Sequence, residues 1–198
     1  MIIFKNTSKE IPYAIFKKKY DLAVAANQQN IEAVCISSYS KASEEVNARF
    51  VNLKFVDDKE FIFFSNYESP KSNDFETHKQ VTALFYWESI DTQIRIKANI
   101  EKTSVDFNQE YFAPRDIHKN ALAISSKQSQ KIDSYEDVEK NYRQSLHEDD
   151  LSICPEYWGG FKFVPYYFEF WEGHISRLNK REIYELDNDN WQKYLLQP

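Results

Sequence analysis

Residues 93–103, QIRIKANIEKT, alternate without a break: Ile94, Ile96, Ala98 and Ile100 fall on one side, and Gln93, Arg95, Lys97, Asn99 and Glu101 on the other. A period of two with one apolar side is the pattern of a β-strand half buried against a core. Further short β-branched or aromatic runs precede it, at IEAVCISS (31–38), ARFVNLKFV (48–56), EFIFFS (60–65) and VTALFYW (81–87), separated by Ser, Asn, Asp and Lys turns. Such runs form an antiparallel meander, and sheets of about five or six of them commonly close into a small barrel that removes their edges. Ahead of the meander, PYAIFKKKYDLAVAANQQ (12–29) sets Ile15, Phe16, Tyr20, Ala23 and Val24 at helical spacing. An amphipathic helix is therefore expected within an N-terminal segment, residues 1–30, packed on the strands.

Between 104 and 150 the pattern becomes polar and helical, through SVDFNQEYF, a piece around HKNALAISSKQ, and SYEDVEKNYRQSL with Ser134 placed as an N-cap. GGFKFVPYYFEFWEG and REIYEL return to strand, the first apolar enough for burial on both faces or at a subunit interface. No repeat or linker interrupts the chain, so 1–198 reads as one domain, mainly β with peripheral helices. A chain of this length buries roughly 70% of the surface that its unfolded form exposes. With 15 Phe, 13 Tyr and 4 Trp against 3 Gly, the core and any pocket are expected to be built from rings.

The net charge of -6 argues against nonspecific partnership with nucleic acid or an anionic membrane, which requires a basic surface. Cys35 and Cys154 stand far apart, with no C-x-x-C, which suggests neither a disulfide framework nor a zinc site and fits a reduced, cytoplasmic setting. The opening MIIFKNTSKEIPY lacks the pattern of a signal peptide, and no apolar run reaches the roughly 20 residues of a membrane span. His78, His118, His147 and His174 show no metal-ligand spacing, and neither G-x-S-x-G nor a Walker-type loop occurs. Hydrolase, zinc-enzyme and P-loop chemistry therefore have no support.

Candidate site residues lie in several short segments. In ARFVNLK, Arg49 and Lys54 flank an apolar strand, a planar fork and a point charge suited to phosphate. Their offset of five puts them on opposite faces, so sharing a ligand requires a bulge, a strand end or a second subunit. FFSNYESPK (63–71) ends a strand and enters a helix, with Ser65 and Lys71 where an anion would be held. Gln93 offers both a donor and an acceptor, as Gln128 does next to Ser129 in SSKQSQKI. YFAPRDIHKN sets Tyr111 and Arg115 four apart, hence on one face if helical. EFWEGHISRLNKREIY (169–184) gathers Trp171, Arg177, Asn179 and Arg181 about the end of an apolar strand. Taken singly, each segment also reads as an ordinary turn, strand or helix.

Together, in order and spacing, they resemble the pyridoxamine 5'-phosphate oxidase family, from about residue 12 to Pro198 and including the landmark YWGG (157–160). The resemblance implies an FMN-binding split β-barrel, antiparallel, six-stranded and of Greek-key type, whose closing family motif occupies 169–198. It also implies a homodimer with FMN at the subunit interface, a small phosphorylated pyridine as substrate, and dioxygen as oxidant. In that frame Arg49, Lys54, Ser65, Lys71, Gln93, Gln128, Ser129, Trp171 and Arg181 would contact FMN. Lys54, Tyr111, Arg115, Lys119, Arg177 and Asn179 would contact substrate, with Arg177 over the reacting carbon as the catalytic group. Three positions depart from the family pattern: Pro70 replaces an arginine in S-R-K, Lys119 a serine, and Asn179 a histidine. Asparagine cannot titrate near neutral pH, so any acid-base role of that histidine is lost. The expected activity is oxidation of pyridoxamine or pyridoxine 5'-phosphate to pyridoxal 5'-phosphate with release of hydrogen peroxide. The alternatives are an FMN oxidase of the same fold with another substrate, as in phenazine biosynthesis, and a noncatalytic flavin or pyridoxal phosphate binder.

Overall fold

The computed structural model describes all 198 residues. In chain order the elements are β1 (Ile3–Lys5), α1 (Ile11–Ala25), β2 (Ala33–Ser40), β3 (Glu45–Asp57), β4 (Glu60–Asn66), α2 (Pro70–Thr77), β5 (Gln80–Trp87) and β6 (Thr92–Lys102), then α3 (Val105–Phe112), α4 (Ile117–Ser125), α5 (Tyr135–Glu148), β7 (Trp158–Glu172), β8 (Lys180–Asp187) and β9 (Asn190–Leu196). The expected meander is present. Two strands at the chain ends were not legible: three residues in β1 are too few to show a period, and β9 leaves Leu195 66% exposed and so has no clean apolar side.

Six strands close on themselves, each with both edges paired. β2 pairs with β3 and β5, β3 with β4, β4 with β7, β7 with β6, and β6 with β5, all antiparallel. Because β5 returns to lie beside β2, strands β2 to β5 follow a Greek-key path. This is the six-stranded antiparallel split barrel that the sequence led one to expect. β8 and β9 extend from β7 outside the ring, and β1 lies parallel to the end of β3.

The core fills the ring. On β6, Ile94, Ile96, Ala98 and Ile100 are each at most 2% exposed, as the alternation predicted. On β7 the ladder shifts register between Lys97 and Ala98 of its partner strand. That shift moves the inward set from Phe161 and Phe163 to Phe168 and Phe170. Tyr167 and Glu169 are buried as well, so this stretch is covered on both faces.

α1 closes the core with Tyr13, Phe16, Tyr20 and Ala23. Val24, expected inside, is 39% exposed, and the helix stops at Ala25 rather than near 29. Asn27 takes a left-handed φ of 57°, a conformation that asparagine tolerates and that cannot continue a helix. At the other helical end the expected cap is found: Ser134 Oγ accepts from the Asp137 N–H at 3.1 Å. Phe16 is 1% exposed, with its ring centroid 5.0 Å from that of Phe61 and 5.4 Å from that of Phe85. Phe16→Ala therefore opens a cavity between helix and barrel and should cost about 3–5 kcal/mol, read as a lower urea midpoint at unchanged slope.

Candidate functional site

A cleft of about 800 Å³ lies beside β3 and β4, roofed by α2, α3, α4 and the chain after α4. It gathers Arg49, Lys54, Ser65, Lys71, Tyr111, Arg115, Lys119, Gln128 and Ser129. Arg49 and Lys54 both line the cleft. Leu53 pairs with Phe63 and Phe55 with Ile62, so the ladder shifts register beside Lys54, and Leu53 and Val56 face the core while Lys54 between them borders the cleft.

The basic side chains fall into two sets. In the first, the Lys71 ammonium donates to Ser65 Oγ at 3.0 Å, Ser69 Oγ at 2.9 Å and Gln128 Oε1 at 2.7 Å. Lys71 is 8% exposed, and all three acceptors are neutral. Burial first, and the neighbouring Arg49 second, lower its pKa to about 8. Arg49 is braced by Ser38 Oγ at 2.8 Å and the Ile36 carbonyl at 3.2 Å, with the buried Asp74 3.8 Å away. Pro70 opens α2 at a position where a missing N–H costs nothing, and it is not among the residues lining the cleft.

In the second set, Lys54, Arg115 and Lys119 have no ion-pair partner in the chain. Burial lowers the Lys54 pKa, and Lys119 and Arg115 depress it further against the opposing pull of Glu32. Tyr111 and Arg115 do not share one helix, because α3 ends at Phe112 and Arg115 lies in the turn beyond. They meet nonetheless: the guanidinium carbon is 5.8 Å from the Tyr111 ring centre and 4.3 Å from that of Trp158. Tyr111 in turn stacks on Phe64 at 3.7 Å. Arg115 Nη1 is buried without a hydrogen-bond partner. Cations held together with an unmet donor, as in the second set, form a site for an anion, and in the first set the Lys71 charge meets only neutral oxygens that an anion could replace, so the cleft suits a ligand or ligands with two anionic groups.

The other expected residues lie elsewhere. Gln93 pairs across the ladder with Trp171, and Trp171 with Arg181, forming an outward row on β6, β7 and β8. Arg177 and Asn179 occupy the turn between β7 and β8. Arg177 is exposed, with a left-handed φ of 59°, and Asn179 Oδ1 accepts from the His174 N–H at 3.1 Å. None of these five lines the cleft, so one copy of the chain carries two separated groups. Trp158, Phe64 and Ser69 belong to the site neighbourhood but were not expected as site residues. Of these only Ser69 had a local signal, as the hydroxyl before Pro70 at a helix start.

The cleft residues fit a phosphorylated cofactor, since the buried Lys71 charge faces only neutral oxygens, and the partnerless Arg115 Nη1 leaves room for a second anion. Fold and site together define a split-barrel protein with a basic, ring-lined cleft. Residues 22–147 match the family described as pyridoxamine 5'-phosphate oxidase, and residues 158–198 match the pyridoxine 5'-phosphate oxidase C-terminal dimerisation region. A pyridoxine/pyridoxamine 5'-phosphate oxidase of Colwellia psychrerythraea is 36% identical over 199 residues, covering 97% of this chain and 89% of that protein. The chain belongs to the pyridoxamine 5'-phosphate oxidase family. Its fold matches PhzG of Burkholderia lata, solved with tetrahydrophenazine-1-carboxylic acid, at a TM-score of 0.89 and 22% identity over 94% of this chain and 92% of that one. It also matches a pyridoxamine 5'-phosphate oxidase-related, FMN-binding protein of Nostoc punctiforme at a TM-score of 0.78 and 11% identity, over 92% and 97% of the two chains. No helix is long and apolar enough to cross a membrane.

The Lys71 shift has a sign that can be tested in ligand-free protein. Its folded pKa, about 8, lies below the ordinary 10.5, so the charged form is penalised in the fold at every pH below about 8. The penalty shrinks as pH rises from about 8 towards 10.5. Lys71→Met should therefore melt no lower than the parent at pH 7, and any gain should fade by pH 10 in a thermal melt series.

Proposed function

We propose that this protein is an FMN-dependent oxidase that converts pyridoxamine 5'-phosphate, or pyridoxine 5'-phosphate, to pyridoxal 5'-phosphate with dioxygen, releasing hydrogen peroxide. The observation that carries the proposal is the gathering of two cation sets in one cleft, the second without any ion-pair partner and the first with Lys71 bonded only to neutral oxygens. Arg49, Ser65, Lys71, Gln128 and Ser129 suit the phosphate end of FMN. Lys54, Tyr111, Arg115 and Lys119 suit the substrate phosphate, Arg115 being held for that purpose on the Trp158 ring. FMN, when bound, supplies the acceptor for two electrons and passes them to dioxygen.

The protein's part is orientation and charge. Lys54, Arg115 and Lys119 fix the phosphate. Arg177, from the β7–β8 turn of a second copy, orients the amine-bearing carbon, and Gln93, Trp171 and Arg181 of that turn's barrel complete the flavin site. The match of residues 158–198 to a dimerisation region supports this arrangement, since one copy alone keeps the two groups apart. The oxidised amine is then hydrolysed to aldehyde and ammonia; the alcohol substrate gives the aldehyde directly.

A second reading keeps fold and FMN but takes another planar, more acidic substrate, of the phenazine-biosynthesis kind. It is favoured by Lys119, which adds a third cation to the substrate set, and by Asn179, whose side chain is engaged in holding its own turn. Anaerobic mixing of FMN-loaded protein with pyridoxamine 5'-phosphate separates the readings. Bleaching of oxidised flavin with aldehyde formed supports the first, whereas flavin that stays oxidised sends the search to the second or to a noncatalytic binder. If the first holds, Arg115→Ala should raise KM about 10- to 100-fold, the worth of a charge-assisted hydrogen bond, with FMN affinity unchanged. Raising the pH from 7 to 9 should weaken FMN binding in a fluorescence titration, because Lys71 loses its proton through about 8.

A further inference from the structure

Glu169 is 2% exposed although it points away from the barrel interior, because three side chains cover it. Oε1 accepts from Arg181 Nε at 2.8 Å, and Oε2 pairs with Arg95 and accepts from the Tyr167 hydroxyl at 3.3 Å. Burial alone would raise its pKa, but the hydrogen bonds from Arg181 and Arg95 outweigh it and hold the carboxyl below the ordinary value. Arg181 is fixed a second time, its Nη1 donating to the Gln197 carbonyl at 3.0 Å. With Nε and Nη1 anchored, the plane of the guanidinium is set, and Arg181 stands across the ladder from Trp171, which stands opposite Gln93. One carboxylate thus serves two guanidiniums and leaves the row one positive charge.

We infer that Glu169 is a positioning residue for flavin binding: it orients Arg181 so that this guanidinium meets the cofactor in a fixed plane together with Trp171 and Gln93. The inference rests on the reading of Arg181 as a cofactor contact.

A purely electrostatic role predicts the opposite sign. Removing a negative charge near an anionic ligand tightens binding by Coulomb's law, whereas removing a positioning group weakens it. FMN affinity of the apoprotein, read by quenching of flavin fluorescence, distinguishes the two. Glu169→Gln should weaken FMN binding at least tenfold. Arg181→Lys, which keeps the charge but cannot make both anchoring bonds, should weaken it comparably. The double variant should bind no worse than the weaker single one, because both changes remove the same arrangement. Unchanged or tighter binding in Glu169→Gln, or full additivity, overturns the inference. If Glu169→Gln does not fold, Glu169→Asp replaces it in the same cycle, since it keeps the charge and withdraws the carboxylate by one methylene. Parent protein that binds no FMN would sink the proposed function and this inference together. Parent protein that binds FMN, with an unaffected Glu169 variant, would remove only the positioning role.

Discussion

The structure depends on β4, seven residues that hydrogen-bond to β3 on one side and β7 on the other and so close the ring. Phe61 and Phe63 point from it into the core, both fully buried, and stack on Phe163 and Phe161 at centroid distances of 5.3 and 5.6 Å. Ladder and ring stack act together, since the hydrogen bonds set the register and the register brings the aromatic faces into contact. The same strand leads to Ser65 and, through a short turn, to Lys71 at the start of α2. Closure of the barrel and construction of the first cation set are thus consequences of one pairing.

Two register shifts shape the polar surface of this barrel. The shift on β3 sets Leu53 and Val56 in the core with Lys54 between them at the cleft, and the shift on β7 turns Glu169 and Trp171 outward while Phe168 and Phe170 fill the core. Strict alternation along β7 would otherwise carry Glu169 into the core. The aromatic layer of Phe64, Tyr111 and Trp158 gives the second set its floor, and Arg115 lies over the Trp158 ring rather than against a carboxylate. A cation held by rings keeps its hydrogen-bond donors available for a ligand, as one in an ion pair does not.

The three departures from the family pattern have different physical standing. Pro70 starts α2, where its ring suits the helix and the chain gains order at the expense of a guanidinium. Lys119 brings a further charge to a set already short of counter-ions. Asn179 ties its own turn to the His174 N–H, so its amide serves the loop that carries Arg177. Pro70 and Asn179 thus each serve the local chain conformation, and Lys119 adds charge to the cleft.

How far the sequence reached follows from the range of the forces involved. The strand pattern of β6, an N-terminal helix with Phe16 inward and the Ser134 cap were legible, because alternation, helical period and capping act between near neighbours, whereas the end of that helix at Ala25 and the choice between two-faced burial and an interface for β7 were not. The resemblance in segment order supplied the closed six-strand ring, and the pairing of β4 with β7, almost a hundred residues apart, bears it out. Tertiary structure alone decided which candidates share a cleft. It gathered nine of them beside β3 and β4 and left Gln93, Trp171, Arg177, Asn179 and Arg181 on another surface. It also made Arg115 approach Tyr111 from beyond the end of a helix, and it buried Glu169 between two arginines. Those relations depend on bulges and on contacts between distant segments, which no local period encodes, whereas the core pattern was written into every strand by the need to keep its apolar side from water.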